Sequence, residues 1–186
     1  VIKSSRPLSP IAASFQEASA RLAEQYQSDR NADAYLLAHS HALDEAIKAL
    51  CEREALPTED LALIAVGGYG RNELFPFSDI DLLVLTADHV TEDTAFQEKI
   101  AAFVTALWEF GLSVGASVRN TTSFLEEALN DVSIATTYLE SRHLWGSETL
   151  TQEAWQKFRE KLNVADFYRN KMLELSRRHH RFEDSP

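Results

Sequence analysis

The sequence predicts an α+β fold, a small sheet with helices before, between and after its strands. Three observations carry that prediction. Two long stretches of 3.6-residue periodicity come first. Short runs of strand length, apolar or alternating, then interleave with helical ones. The last part returns to helical periodicity alone. Helices outnumber strands and gather at the two ends, which is the α+β pattern rather than a regular strand–helix alternation.

Bulk properties narrow the class. A chain of 186 residues fits one domain, or one domain with an appendage. A formal net charge of -11 argues against gripping a nucleic-acid backbone, which needs clustered Lys and Arg. It leaves room for a small nucleotide carried with Mg²⁺, since the metal brings the positive charge. Cys51 is the single cysteine, so an internal disulfide is excluded and a reducing, cytoplasmic setting is expected. No apolar stretch is long enough to span a bilayer, and VIKSSRPLSP has no signal-peptide core. The ending RRHHRFEDSP carries no helix stop, which reads as a piece cut from a longer protein.

Taken in order, the elements justify themselves locally. Ser9 is placed as an N-cap with Pro10 at the first helical position, where a missing N–H costs nothing. Ile11, Phe15, Ala18, Leu22 and Tyr26 then form one stripe. A second helix is predicted from Ala32 to Glu54, with Leu36, His39, Leu43, Ile47 and Leu50 on one face and Pro57 as its stop. Leu61–Val66 and Ile80–Leu85 are short apolar strands. Their connection, Gly67 to Ser78, suits a tight turn plus one or two helical turns. From Glu92 to Phe110, Phe96, Ile100, Phe103, Val104 and Leu107 keep a helical period, with Gly111 as the cap. In Leu112–Arg119, Val114, Ala116 and Val118 alternate with Ser113, Gly115, Ser117 and Arg119, giving a strand with one apolar and one polar face. Ser123 with Glu126 reads as a capping box. A helix over Ser133–Glu140, a short strand at Arg142–Trp145, and helices over 148–161 and 164–181 complete the chain. The expected division is a helical segment over 1–57, a core over 58–147 and a helical segment over 148–186.

The chemistry concentrates in LALIAVGGYGRNELFPFSDIDLLVL, residues 61–85. Asp79 and Asp81 are two apart at a strand start, so both carboxylates project to one face. Two like charges that close repel unless a cation lies between them. Mg²⁺ accepts a few carboxylate oxygens together with substrate phosphates. Just upstream, the Gly67-Gly68-Tyr69-Gly70-Arg71 turn lets backbone N–H groups approach an anion, and Arg71 can add a charge-assisted bond to a phosphate. A dinucleotide fold fails on spacing, because the third glycine of its fingerprint falls at Glu73, and a P-loop fails because no G-K-S/T follows. A solvated strand start and a plain tight turn are the bland alternatives. Finding both patterns together weighs against them.

This combination resembles the polymerase β type of nucleotidyltransferase. More closely, GGYGRNELFPFSDIDLLVL is similar to the motif of the bacterial protein-PII uridylyltransferase/uridylyl-removing enzymes, with further likeness in GLSVGASVRN, DVSIATTYLESRHLWG and HHRFEDSP. The resemblance implies a small mixed sheet of the palm type and Mg²⁺-dependent transfer of UMP from UTP to a tyrosine of the PII nitrogen-signalling protein, with release of pyrophosphate. It implies Mg²⁺ on Asp79 and Asp81, β- and γ-phosphate contacts from Gly67, Gly68 and Arg71, Ser78 as a phosphate contact or strand cap, and Ser117 and Arg119 as further nucleotide- or phosphate-binding residues. It also implies an uridylyl-removing HD domain and glutamine-sensing ACT domains, neither of which lies within this chain. Two departures stand out. Asn72 occupies a position where the family has Gly; Asn tolerates the left-handed conformation better than most residues. The strand expected to carry a third carboxylate offers Ser113, Ser117 and Arg119 instead, with Ser117 assigned to that position. Glu73 and Glu109 are weak candidates for the general base. Related transfer to another acceptor, by protein adenylylation or to a small molecule, and a non-catalytic nucleotide-sensing domain remain as alternatives.

Other features take plain readings. His39 and His41 are packing or surface residues, and Cys51 is a buried helix residue. Phe96, Phe103, Trp108 and Phe110 are core aromatics. Arg177, Arg178, His179, His180 and Arg181 form a solvated basic helix end.

Overall fold

The structure is a computed structural model and describes residues 9–108 and 113–181. Two helices come first, α1 (Pro10–Asp29) and α2 (Ala32–Arg53). Strand β1 (Leu61–Ala65), the single-turn helix α3 (Gly67–Gly70) and strand β2 (Ile80–Thr86) follow. After a 3₁₀ turn at Asp88–Val90 come α4 (Thr94–Leu107), β3 (Val114–Asn120), α5 (Thr121–Asn130) and α6 (Val132–Leu139). The chain then forms β4 (Arg142–Gly146), α7 (Glu148–Lys161) and α8 (Val164–Arg181).

The four strands make one mixed sheet in the order β3-β2-β1-β4. β1 is antiparallel to both of its neighbours, whereas β2 and β3 run parallel. A parallel pair needs a crossover, and α4 supplies it. β1 and β2 read as continuous apolar runs because helices cover both faces of the sheet. On one face Leu61, Leu63, Leu82 and Val84 pack with Leu43, Ile47 and Leu50 of α2 and with Ile100 and Phe103 of α4. On the other, Ala62, Ile64, Leu83 and Leu85 pack with Phe124 of α5, Tyr138 of α6 and Phe158 of α7. Phe124 stacks on Tyr138 and on Trp155, each at 4.6 Å.

The α+β class, the two leading helices, all four strands and the closing helices agree with the sequence expectation. Ser9 caps α1, accepting from the Ala12 N–H with Pro10 at the first position. Several details differ. The cap of α5 is Asn120, whose side chain accepts from the Ser123 N–H; Ser123 therefore lies inside the first turn rather than before it. The parallel pairing of β3 runs through Asn120, and the helix follows it directly. Helix α2 stops at Arg53, well short of Pro57, and Ala55 takes a left-handed φ of 49° just past it. Val118 is exposed rather than inward, because β3 is an edge strand and the helices on the α4 face reach only Val114 and Ala116. Trp108 is 69% exposed at the end of α4, not core. Gly111, Phe110 and Glu109 lie outside the described residues. Cys51 is fully buried, and burial pushes its thiol up to about 12.

Candidate active site

The glycine turn leaves the end of β1 and is held from behind by α2 and β4. Tyr69 donates its hydroxyl to Asp44 Oδ1 at 2.6 Å. Arg142 of β4 donates to the same carboxylate through Nη1 at 2.6 Å and Nη2 at 3.0 Å, and its guanidinium lies over the Tyr69 ring. Burial, then the Asp44 charge, raises the Tyr69 hydroxyl far above its ordinary value, so it stays a donor. Downstream, Leu74 is tied to α2 twice. His39 Nδ1 lies 3.1 Å from the Leu74 carbonyl, and the Leu74 N–H donates to Ser40 Oγ at 3.4 Å. Helix α2 thus holds the Gly67–Leu74 turn at Tyr69 and at Leu74. Asn72, inside it, takes φ 60°, the left-handed conformation expected there, and its Oδ1 is buried without a partner.

Within the turn, Gly70 N–H bonds to the Val66 carbonyl and Arg71 N–H to the Gly67 carbonyl. The Gly67 and Gly68 N–H groups have no bonding partner among the described residues. They are the amides closest to the start of the turn. Arg71 is held by two acids, Glu73 Oε2 at 2.8 Å from Nε and Glu140 at Nη1. The bond to Glu73 is the main reason that its guanidinium pKa is raised. Ser78 donates to the Phe75 carbonyl at 2.8 Å, which closes the loop just before the acids. In that loop Phe77 is 99% exposed.

Asp79 immediately precedes β2, and Asp81 is exposed between buried Ile80 and Leu82. Neither carboxylate has a hydrogen bond or ion pair among the described residues. Partial burial raises the Asp81 pKa first, and the Asp79 charge raises it further. The Asp81 carboxylate sits between two glycines. A Cβ built on Gly67, which has φ +60°, would lie 3.5 Å from Oδ2, and one built on Gly115 only 2.9 Å from Oδ1. The register of β2 with β3 explains the second contact, since Asp81 pairs with Gly115 and Leu83 with Ser117. The residue beside the acid is therefore Gly115, and Ser117 stands one pleat further along. Ser117 donates to the Leu82 carbonyl at 3.4 Å.

A cavity of about 420 Å³ opens on the same face. Asp81, Gly115, Ser117 and Arg119 line it from the sheet, and Glu127 and Tyr138 from α5 and α6. Arg119 Nε donates to Glu127 Oε2 at 2.7 Å, and that bond is the first cause of its raised pKa. So Asp81, Ser117 and Arg119 share one cavity, and Gly67 touches its acidic rim. Arg71 and Ser78 are tied to other partners. The sequence reading missed Gly115, although a glycine inside a strand often marks a close approach. It also missed Glu127, Tyr138 and the Asp44–Tyr69–Arg142 cluster, which only the tertiary fold brings to the site. No group of three or more His, Cys, Asp or Glu side chains suited to a metal occurs among the described residues. Two unpaired carboxylates, one with a raised pKa, still fit a divalent cation that takes its remaining ligands from a substrate.

Comparison with known proteins places this geometry. Residues 43–139 match the family model described as nucleotidyltransferase domain. The chain is 39% identical over 175 residues to the bifunctional uridylyltransferase/uridylyl-removing enzyme of Burkholderia mallei, covering 94% of this chain and 20% of that protein. It is also 39% identical over 167 residues to the enzyme of the same description from Ralstonia nicotianae, covering 90% of this chain and 19% of that protein. The chain thus spans about a fifth of the length of these relatives. A solved toxin–antitoxin structure with AMP-PNP aligns at a TM-score of 0.42 and 19% identity, over 70% of this chain and 95% of that one, too loosely to carry an argument. No helix among the described residues is long and apolar enough to cross a membrane.

Proposed function

This chain belongs to the nucleotidyltransferase domain family, and from that premise we propose that it transfers UMP from UTP to a tyrosine hydroxyl of the PII nitrogen-signalling protein, in the cytoplasm, with Mg²⁺. The observation that carries the nucleotidyl-transfer part is the unpaired Asp79/Asp81 pair, with Asp81 held between Gly67 of the glycine turn and Gly115. The choice of UTP and PII rests on the likeness to the uridylyltransferase relatives.

The acceptor oxygen attacks the α-phosphorus, the bond to the β-phosphate oxygen breaks, and pyrophosphate leaves. Such transfer depends mostly on positioning and charge neutralisation. A bound divalent cation supplies neutralisation at the α-phosphate and favours the deprotonated acceptor hydroxyl. Asp79 and Asp81 hold that cation. The Gly67 and Gly68 N–H groups face the triphosphate, with Ser78 and Ser117 as hydroxyl contacts. Arg71 reaches a phosphate by exchanging one of its two acidic partners, so its grip is switchable rather than fixed. Arg119 serves the nucleoside end. Glutamine sensing belongs, on this reading, to domains that the longer relatives carry beyond this region.

Equilibrium binding of UTP with Mg²⁺ to the chain and to an Asp79→Ala, Asp81→Ala double variant tests the metal assignment. Loss of Mg²⁺-dependent binding in the variant is expected, and equal binding in both overturns it. Incubation with PII and UTP, followed by mass spectrometry, tests the acceptor. A UMP adduct on tyrosine is expected, and adduct formation from ATP alone would shift the function to adenylylation.

A further inference from the structure

The cavity beside Asp81 holds a donor–acceptor pair that the transfer chemistry does not use. Arg119 spends Nε on Glu127 Oε2 and Nη1 on the Val118 carbonyl at 2.8 Å. Arg119 Nη2 and Glu127 Oε1 have no recorded partner among the described residues. Both side chains are about one-third exposed, at 34% each, so their remaining polar atoms are within reach of a ligand. Val66 and Ile134 supply apolar surface in the same cavity. An apolar wall beside one fixed donor and one fixed acceptor is an arrangement that recognises a heterocycle edge.

We propose that the Arg119–Glu127 pair reads the base of the bound nucleoside triphosphate and selects the imide edge of uracil. The inference rests on the nucleotidyl-transfer reading of the site and names what determines its substrate. A carboxylate only accepts and a guanidinium only donates. Uracil offers N3–H flanked by carbonyls on both sides. Glu127 can take N3–H while Arg119 serves either O4 or O2, so the match survives approach from either side. Cytosine presents one amino group beside one ring nitrogen and matches in one orientation only, whereas adenine offers N6–H with N1 or with N7 and is separated from uracil by size rather than by this pattern. Guanine matches on the O6 side and sets two donors together on the other. Of the two pyrimidines, uracil is therefore the one whose fit does not depend on how it enters. The ion pair that holds Arg119 and Glu127 together also fixes their spacing, which makes the pair a preorganised reader rather than two mobile side chains.

The test is equilibrium binding to the full chain with Mg²⁺, using UTP, CTP, ATP, GTP and N3-methyl-UTP. UTP should bind more tightly than CTP. N3-methyl-UTP, which lacks the donor that Glu127 accepts, should bind about tenfold more weakly or worse, the scale of one bidentate base contact. Glu127→Gln, whose amide offers either a donor or an acceptor, should narrow the UTP-over-CTP ratio by about tenfold. Equal binding of UTP and N3-methyl-UTP overturns the inference, and needs no variant to fold. An unchanged UTP-over-CTP ratio in Glu127→Gln overturns it as well. If all triphosphates bind alike, base reading fails and transfer stands. If none binds to the wild-type chain, the transfer reading itself fails and takes this inference with it.

Discussion

The Asp81 carboxylate is the residue on which most of the site turns, and its surroundings set up opposing demands. Partial burial and the Asp79 charge raise its pKa, so the neutral carboxyl is favoured more in the folded chain than in the unfolded one. Asp81 therefore favours folding at pH below the ordinary carboxylate range, and that contribution is lost as the pH rises through the raised value. At neutral pH the ionised group works against the fold. Asp81→Asn is expected to raise the melting temperature in metal-free buffer and to lack the further rise expected of the wild-type chain on adding Mg²⁺ and UTP, both read by thermal melts. Gly115 tests the same point from outside. An added methyl would come within 2.9 Å of Oδ1, closer than Cβ contacts allow, so Gly115→Ala must displace the acid. Its expected signature is at least a tenfold loss of Mg²⁺-dependent nucleotide binding, measured by titration. Neither glycine contact was legible from the sequence: Gly115 read only as one polar-face position among several, because which residue faces Asp81 depends on the register of a parallel pair.

At the scale of elements, helix α2 holds the glycine turn. Asp44 is buried between Tyr69 and Arg142, so Asp44→Ala leaves a partly buried guanidinium without its partner, at an expected cost of about 3 kcal/mol or more in urea unfolding. Tyr69→Phe removes only one hydrogen bond and should cost about 1–2 kcal/mol. The α5 cap offers a sharper contrast. Asn120→Ala should cost about 1 kcal/mol and Ser123→Ala much less, because the Asn120 side chain takes the first-turn N–H. The sequence pattern pointed to Ser123 because Ser-x-x-Glu is a capping box in isolation. Asn120, the last paired residue of β3, takes the Ser123 N–H with its own side chain and so starts the helix earlier. Where no such competition exists, as at Ser9 and Pro10, the cap was legible. Asn72→Gly should be neutral or stabilising by up to about 1 kcal/mol, since glycine accepts the left-handed conformation and removes a buried Oδ1 with no partner.

For the molecule as a whole, the order of elements was readable because each carries its own periodicity: 3.6 in the helices, alternation in β3, and continuous burial in β1 and β2. The acidic pair and the glycine turn could be named together because both lie within one short stretch, Gly67–Asp81. The far wall of the cavity could not. Arg119 could be named from a strand's polar face, but Glu127 and Tyr138 reach the cavity only because α5 and α6 fold back over the sheet. Position in the sheet also predicts how the site moves. β1 and β2 are its inner strands and β3 and β4 its edges. Hydrogen exchange should therefore be slowest at Leu63, Ile64, Leu83 and Val84 and faster along β3, so that the acid at Asp81 rides on a rigid strand beside a softer wall.

The Asp44–Arg142 contact joins residues 98 positions apart. It also sets a clock for a chain emerging from the ribosome. Asp44, Tyr69 and both aspartates are made early, yet the turn cannot be locked until β4 has followed them out of the exit tunnel. A nascent chain stalled at about residue 140 would hold every acid and glycine of the site and still lack the arginine that secures Tyr69.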